Sequence, residues 1–258
     1  MRIWAITFLF LLEFLPIARA EFITKTIEYK QAEAILEGYL SYDDSFTGKR
    51  PGILVVHEWK GLNDYAKMRA DMLAKLGYVA FAADIYGKGI RPQSAEQAGA
   101  EAGKYKGDRP LLRQRVLAGL EELKSQGNVD GSKLAAIGYC FGGTTVLELA
   151  RSGTDIKGVV SYHGGLSSPM PADAKNIKAR VLVLHGADDP FVSANEVAAF
   201  EKEMTDAQVN YQLIKYPGAV HGFTNPANTG ELKGALYNKE ADEKSWDQMR
   251  RFLNEIFR

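Results

Sequence analysis

The chain of 258 residues is 46% hydrophobic and balances 32 basic against 32 acidic side chains. That content can bury a sizeable core and excludes a disordered chain. Zero net charge and the lack of a Lys/Arg run exclude a nucleic-acid-binding or acidic-lipid-binding surface, so the expected partner is a small molecule.

Residues 1–20, MRIWAITFLFLLEFLPIARA, have the layout of a secretory signal, with Arg2 ahead of an apolar stretch and Ala18-Arg19-Ala20 ahead of a cut after Ala20. The stretch falls short of the roughly 20 apolar residues of a membrane span. The mature chain, residues 21–258, is therefore expected to be exported to the periplasm or the medium, as one domain without stable membrane association. Export favours disulfides, yet the single cysteine, Cys140, can form none within the chain.

Next, EAILEGYLSY alternates in polarity and predicts an antiparallel edge strand. GILVVH (52–57), YVAFAAD (78–84), KLAAIGY (133–139), GVVSYH (158–163) and RVLVLHG (180–186) are too apolar for half-exposed strands and predict five central ones, with VNYQLIKY (209–216) as a further strand. Amphipathic segments alternate with them. NDYAKMRADMLAKLG predicts a helix burying Tyr65, Met68, Met72, Leu73 and Leu76 and ending at Gly77. SANEVAAFEKEM opens on a Ser193–Glu196 capping box and directs Val197, Phe200 and Met204 inward. A last helix from about Glu240 buries Trp246, Met249, Leu253 and Ile256. The polar, Ala/Gly-rich stretch 87–110 is left as the softest segment, one that borders a site. The alternation predicts an α/β fold, a mainly parallel sheet flanked by helices on both faces.

Gly138-Tyr139-Cys140-Phe141-Gly142 is the cysteine version of the GxSxG elbow, in which a strand reverses into a helix within about one residue. The two arms crowd there, which requires glycines at 138 and 142. The sulfur of Cys140 then projects from the carboxyl end of the sheet at a helix N-terminus, where the dipole favours thiolate and the N–H of Phe141 is free for an oxyanion. In α/β-hydrolase order the acid and the base follow on loops after later strands. GADDPFV supplies Asp189, with Asp188 as its rival, and YPGAVHGFTNP supplies His221.

With these residues in place the sequence resembles the dienelactone hydrolase family, through GYCFGG, GADDPFV, HGF and the earlier VVHEWKGLN. The resemblance implies an α/β-hydrolase fold and a Cys-His-Asp triad. It further implies that Glu58 modulates the thiol, that the Trp59 N–H completes the oxyanion hole with that of Phe141, and that Phe191 walls the pocket. Where members that open dienelactone hold its carboxylate with arginines, this chain has Lys88 and Asn225, and Lys60 stands where an aromatic is common. HEWKG is not HExxH, since its fifth residue is Gly61, and His57, His163 and His185 are expected to be satisfied interior histidines, not metal ligands.

The expectation is a monomeric hydrolase, independent of cofactor and metal, that cleaves a small ester or lactone through an acyl-cysteine. A non-catalytic binding module on the same fold and a thiol acyltransferase are the alternatives.

Overall fold

The computed structural model describes residues 22–258, so the expected signal at 1–20 lies outside the described residues. The strands are β1 (Phe22–Gln31), β2 (Ala34–Asp43), β3 (Arg50–Val56), β4 (Val79–Ala83), β5 (Val129–Tyr139), β6 (Gly158–Tyr162), β7 (Arg180–Gly186) and β8 (Tyr211–Tyr216). They form one sheet in the order β1-β2-β4-β3-β5-β6-β7-β8. The five apolar runs are the adjacent strands β4, β3, β5, β6 and β7, all parallel, and β8 extends the parallel set.

The EAILEGYLSY strand is antiparallel as expected but is not the edge, because β1 pairs outside it along its full length. Only Tyr29 of β1 is buried, and an outer strand dotted with exposed lysines leaves little apolar alternation to read.

Among the described residues, six α-helices cover the sheet: α1 (Asp64–Ala74), α2 (Ala95–Gly107), α3 (Arg109–Ser125), α4 (Phe141–Arg151), α5 (Ala194–Asp206) and α6 (Lys239–Ile256). Alternate residues of β3 enter opposite cores: Leu54 and Val56 join the side chains of α2 to α5, whereas Ile53 and Val55 join those of α1 and α6. Burial on both faces explains the unbroken hydrophobic runs, each fully buried Val, Leu or Phe contributing about 1.5–3 kcal/mol. Among the described residues, no helix is long and apolar enough to cross a membrane.

The inward face of α1 differs from the expected one. Tyr65 and Leu73 are buried, but the other inward residues are Ala66, Arg69, Ala70 and Ala74, while Met68 and Leu76 are 39% and 38% exposed. Alanines meet Ala80 and Ala82 of β4 in the same core, which brings the helix close to the sheet, and Arg69 goes inward because Asp242 pairs with it at 2.7 Å. In α5, Val197, Phe200 and Met204 point inward as expected, and Ser193 accepts from the Glu196 N–H at 3.1 Å. The carboxylate of Glu196 bonds Leu166 and Ser167 instead of closing the box.

Helix α4, which carries the elbow, is buried over its whole length. Its Glu148 and Arg151 are paired with each other at 3.1 Å, with Arg113 of α3 at 2.8 Å and with Glu203 of α5 at 2.8 Å. Removing one member of such a buried set typically costs about 3–5 kcal/mol, so these ions lock the helix behind the site in one position.

Candidate active site

The strand order turns at β3, which has β4 on one side and β5 on the other, and the loops after β3 and β5 diverge at a crevice of the kind in which open α/β sheets bind ligands. Cys140 sits there between β5 and α4 with φ 55° and ψ −112°, a left-handed backbone for a non-glycine residue, which costs on the order of 1–3 kcal/mol. Crowding by backbone explains the flanking glycines. A Cβ on Gly138 would lie 1.9 Å from the Gly142 carbonyl oxygen, and one on Gly142 would lie 2.3 Å from that of Val56.

Asp189, on the loop leaving β7, and His221, on the loop after β8, meet at the sulfur. His221 Nε2 lies 3.1 Å from Cys140 Sγ, and His221 Nδ1 lies 2.8 Å from Asp189 Oδ2. The other carboxylate oxygen of Asp189 accepts from the Phe191 N–H at 2.8 Å, which fixes its plane. The rival, Asp188, turns away and accepts from the Gly218 N–H at 3.0 Å. Burial alone disfavours a charged His221, but negative charge on Cys140 and the hydrogen bonds to Asp189 and Cys140 outweigh it and push the ring up to about 10.

The VVHEWKGLN segment forms the opposite lip. His57 is buried, and its Nε2 accepts from the Ile85 N–H at 3.2 Å, so the proton is on Nδ1 and is donated to the Glu58 carbonyl at 2.6 Å. Burial pulls His57 down to about 4, which keeps it neutral. Tyr86 donates its hydroxyl to the Trp59 carbonyl at 2.9 Å, so the peptide of Trp59 is held from both ends. Among the described residues, neither the Trp59 N–H nor the Phe141 N–H meets a protein acceptor, and both residues line the cleft. Glu58 is buried beside them and accepts from Asn225 Nδ2 at 2.6 Å. Burial raises its carboxyl above the ordinary value, against the opposing hydrogen bond from Asn225 and the charge of His221.

The cleft at Cys140 has a volume of about 410 Å³. One wall is apolar: Phe191, half exposed, stands edge-on to His221 with ring centroids 5.2 Å apart, and Leu232 and Ala235 follow it. The other wall is the face of α2 made by Gly99, Ala102, Gly103 and Lys106, within the segment expected to border a site.

Lys88 is not in the cleft. Its backbone N–H bonds the Ile35 carbonyl in β2 at 2.9 Å, which turns the side chain toward Glu28 and Glu37 of the β1–β2 hairpin, and it pairs with both. The cation that lines the cleft is Lys106, on a helix that the polar, Ala/Gly-rich composition of 87–110 conceals. Its signal was the spacing of three small residues and a lysine at i, i+3, i+4 and i+7, visible only once Ser94 is recognised as a helix cap. Of the other histidines, both ring nitrogens of His163 are bonded, whereas Nδ1 of buried His185 has no partner among the described residues, so His185 departs from the expected satisfied state.

A cysteine elbow at the carboxyl edge of a mainly parallel sheet, with an acid loop and a histidine loop following in chain order, defines an α/β hydrolase. The chain belongs to the dienelactone hydrolase family, which it matches over residues 36–257, and it is thereby a lactone or ester hydrolase. It is 40% identical to the solved m3DLH, covering 92% of this chain and 99% of that one, with a TM-score of 0.89. At 39% identity, the same coverage and a TM-score of 0.89, it also resembles P91, a dienelactone hydrolase-like promiscuous phosphotriesterase from metagenomic libraries. A curated Bradyrhizobium relative named "Probable 2-oxo-3-(5-oxofuran-2-ylidene)propanoate lactonase" is 31% identical over 187 residues, 69% of this chain and 75% of the relative.

Proposed function

We propose that the chain hydrolyses a small ester or lactone through an acyl-cysteine formed on Cys140. The observation that carries this reading is the unbroken contact from Asp189 through His221 to Cys140, opening onto two unpartnered N–H groups. Cys140 gives its thiol proton to His221 Nε2 as the sulfur attacks the substrate carbonyl carbon, a C–S bond forms, and the carbonyl electron pair moves to an oxygen held by the N–H groups of Trp59 and Phe141. Collapse breaks the C–O bond, and His221 Nε2–H protonates the departing alkoxide. Water then attacks the thioester, giving its proton to His221, and the acid leaves as the thiol re-forms. Asp189 orients the ring and stabilises its charged form throughout.

Glu58 tunes the thiol. A buried carboxylate that accepts from a neutral amide, with burial favouring its protonated form, can help take the thiol proton when substrate displaces it. The apolar wall of Phe191 and Leu232 and the single cation Lys106, in place of a pair of arginines, favour neutral esters and lactones over acidic ones. We further propose export by residues 1–20 and a monomeric catalyst. Hydrolysis of p-nitrophenyl acetate by the wild type and Cys140→Ala tests the mechanism: the account requires loss of at least about 100-fold in kcat/KM, and an unchanged rate refutes it. The intact mass of protein recovered from the expressing cells tests the cut after Ala20.

A further inference from the structure

Behind the nucleophile runs a buried polar string that none of these steps uses. The backbone N–H of Cys140 is shared between the Tyr162 carbonyl at 3.0 Å and His163 Nδ1 at 3.1 Å. With Nδ1 accepting, the ring proton is on Nε2 and is donated to Thr224 Oγ1 at 2.7 Å. Thr224 Oγ1 meets the Tyr65 hydroxyl at 2.6 Å, and that hydroxyl accepts from Arg69 Nε at 3.2 Å. Arg69 closes the string by donating to the Thr224 carbonyl at 2.5 Å and pairing with Asp242 at 2.7 Å. His163 and Thr224 are fully buried and Arg69 nearly so. Burial, reinforced by the charge of nearby His221, keeps His163 neutral, so its tautomer does not change as His221 gains and loses its proton.

Two observations separate this string from ordinary core satisfaction. His163 has φ 39° and Cys140 has φ 55°, so two non-glycine residues in the left-handed region follow the paired strand ends Tyr139 and Tyr162 and are bonded to each other. Such strain persists only where the surroundings over-determine it, and it concentrates at functional sites. Thr224, moreover, belongs to the same short loop as His221 and as Asn225, the partner of Glu58. One end of the string therefore grips the peptide of Cys140, and the other grips the loop that presents His221.

We propose that His163 and Thr224 are positioning residues, holding the Cys140 peptide and the His221 loop at a fixed separation and so setting the Sγ–Nε2 contact. The inference rests on the cysteine mechanism proposed above. Space-filling alone would be met by valine at 224, which matches threonine in shape but cannot bridge His163 to Tyr65.

The test compares Thr224→Val, Thr224→Ser and Tyr65→Phe with the wild type, using p-nitrophenyl acetate kinetics and the pH dependence of Cys140 alkylation by iodoacetamide. For Thr224→Val the expected result is a kcat loss of about 10- to 100-fold with KM within about twofold, the scale of a misplaced reacting pair. Its alkylation profile moves to higher pH, because a displaced imidazole stabilises the thiolate less. Thr224→Ser, which keeps the hydroxyl, stays within about threefold of wild type, and Tyr65→Phe loses about 3- to 10-fold. Should Thr224→Val fail to fold, Tyr65→Phe decides alone. Wild-type kcat and alkylation profile in the deciding variant would overturn the inference, as would a Thr224→Ser enzyme as impaired as Thr224→Val. Cys140→Ala run alongside separates the two claims: full turnover there refutes the cysteine mechanism, whereas its loss with an unaffected Thr224→Val refutes only the string.

Discussion

Gly103 lies in the interior of α2 and faces the cleft, yet a Cβ built on it meets nothing within 4 Å. Gly99, one turn earlier, is the same. Glycine in a helix interior is less favourable than alanine by about 0.8–1 kcal/mol, and no neighbour of Gly103 requires that sacrifice. That leaves the space beside Gly103 open to a bound substrate. Gly103→Ala should raise the melting temperature by about 2–4 °C for a chain of this size, while p-nitrophenyl acetate turnover stays within about twofold, because a small acyl group leaves the wall untouched. Gly103→Leu should spare acetate but lower kcat/KM for esters with long or branched groups by about 10- to 200-fold, the range a mismatch of one or more methylenes produces. Differential scanning fluorimetry and an ester series of increasing bulk measure both effects. The reasoning is refuted if Gly103→Ala destabilises the fold, which would reveal a packing role, or if Gly103→Leu leaves the bulk profile unchanged.

Asp189→Asn should lower kcat by about 10²- to 10⁴-fold through loss of the His221 orientation, and Asp188→Asn should stay within about threefold, in the same ester assay. Lys106→Ala should raise KM for acidic esters by no more than about fivefold, as befits an exposed charge, and Lys88→Ala should not change it. For His57 the folded value is depressed from 6.5 to about 4, so the unfolded chain binds the extra proton between those values and stability falls as pH falls through that window. The loss amounts to about 3 kcal/mol, and thermal unfolding between pH 7 and pH 4 should show the melting temperature dropping with an apparent midpoint inside that range. On the proposed mechanism, in which the ring delivers a proton to the leaving group, the alkaline limb of kcat/KM should lie at the value of about 10 to which His221 is pushed, and should move to lower pH in Asp189→Asn, read from the pH–rate profile.

Strands buried on both faces were legible because they are filled almost wholly by apolar residues; β1 was not, since its outer position tolerates Thr, Lys and Glu. Periodicity located α1 but misjudged its face, because a helix lying close on alanines and sinking a paired arginine inverts the usual assignment of methionine inside and arginine outside. At the site, spacing alone foretold the glycines at 138 and 142, since two backbone arms crowd in any such elbow. The sequence motifs point to Lys88 and not to Lys106, because the direction of a lysine depends on which backbone bonds orient its segment, here the Lys88 N–H to Ile35, and a motif carries none of that. The string through His163 and Thr224 joins segments 61 residues apart and has no local signature.

The central claim concerns one covalent bond. Rapid acid quench of enzyme mixed with p-nitrophenyl butanoate, followed by intact-protein and peptide mass spectrometry, should show a single acyl group on the peptide containing Cys140, accumulating in His221→Ala or Asp189→Asn if not in the wild type. Steady turnover with no acyl adduct on Cys140 in any of the three, together with full activity in Cys140→Ala, would contradict the account.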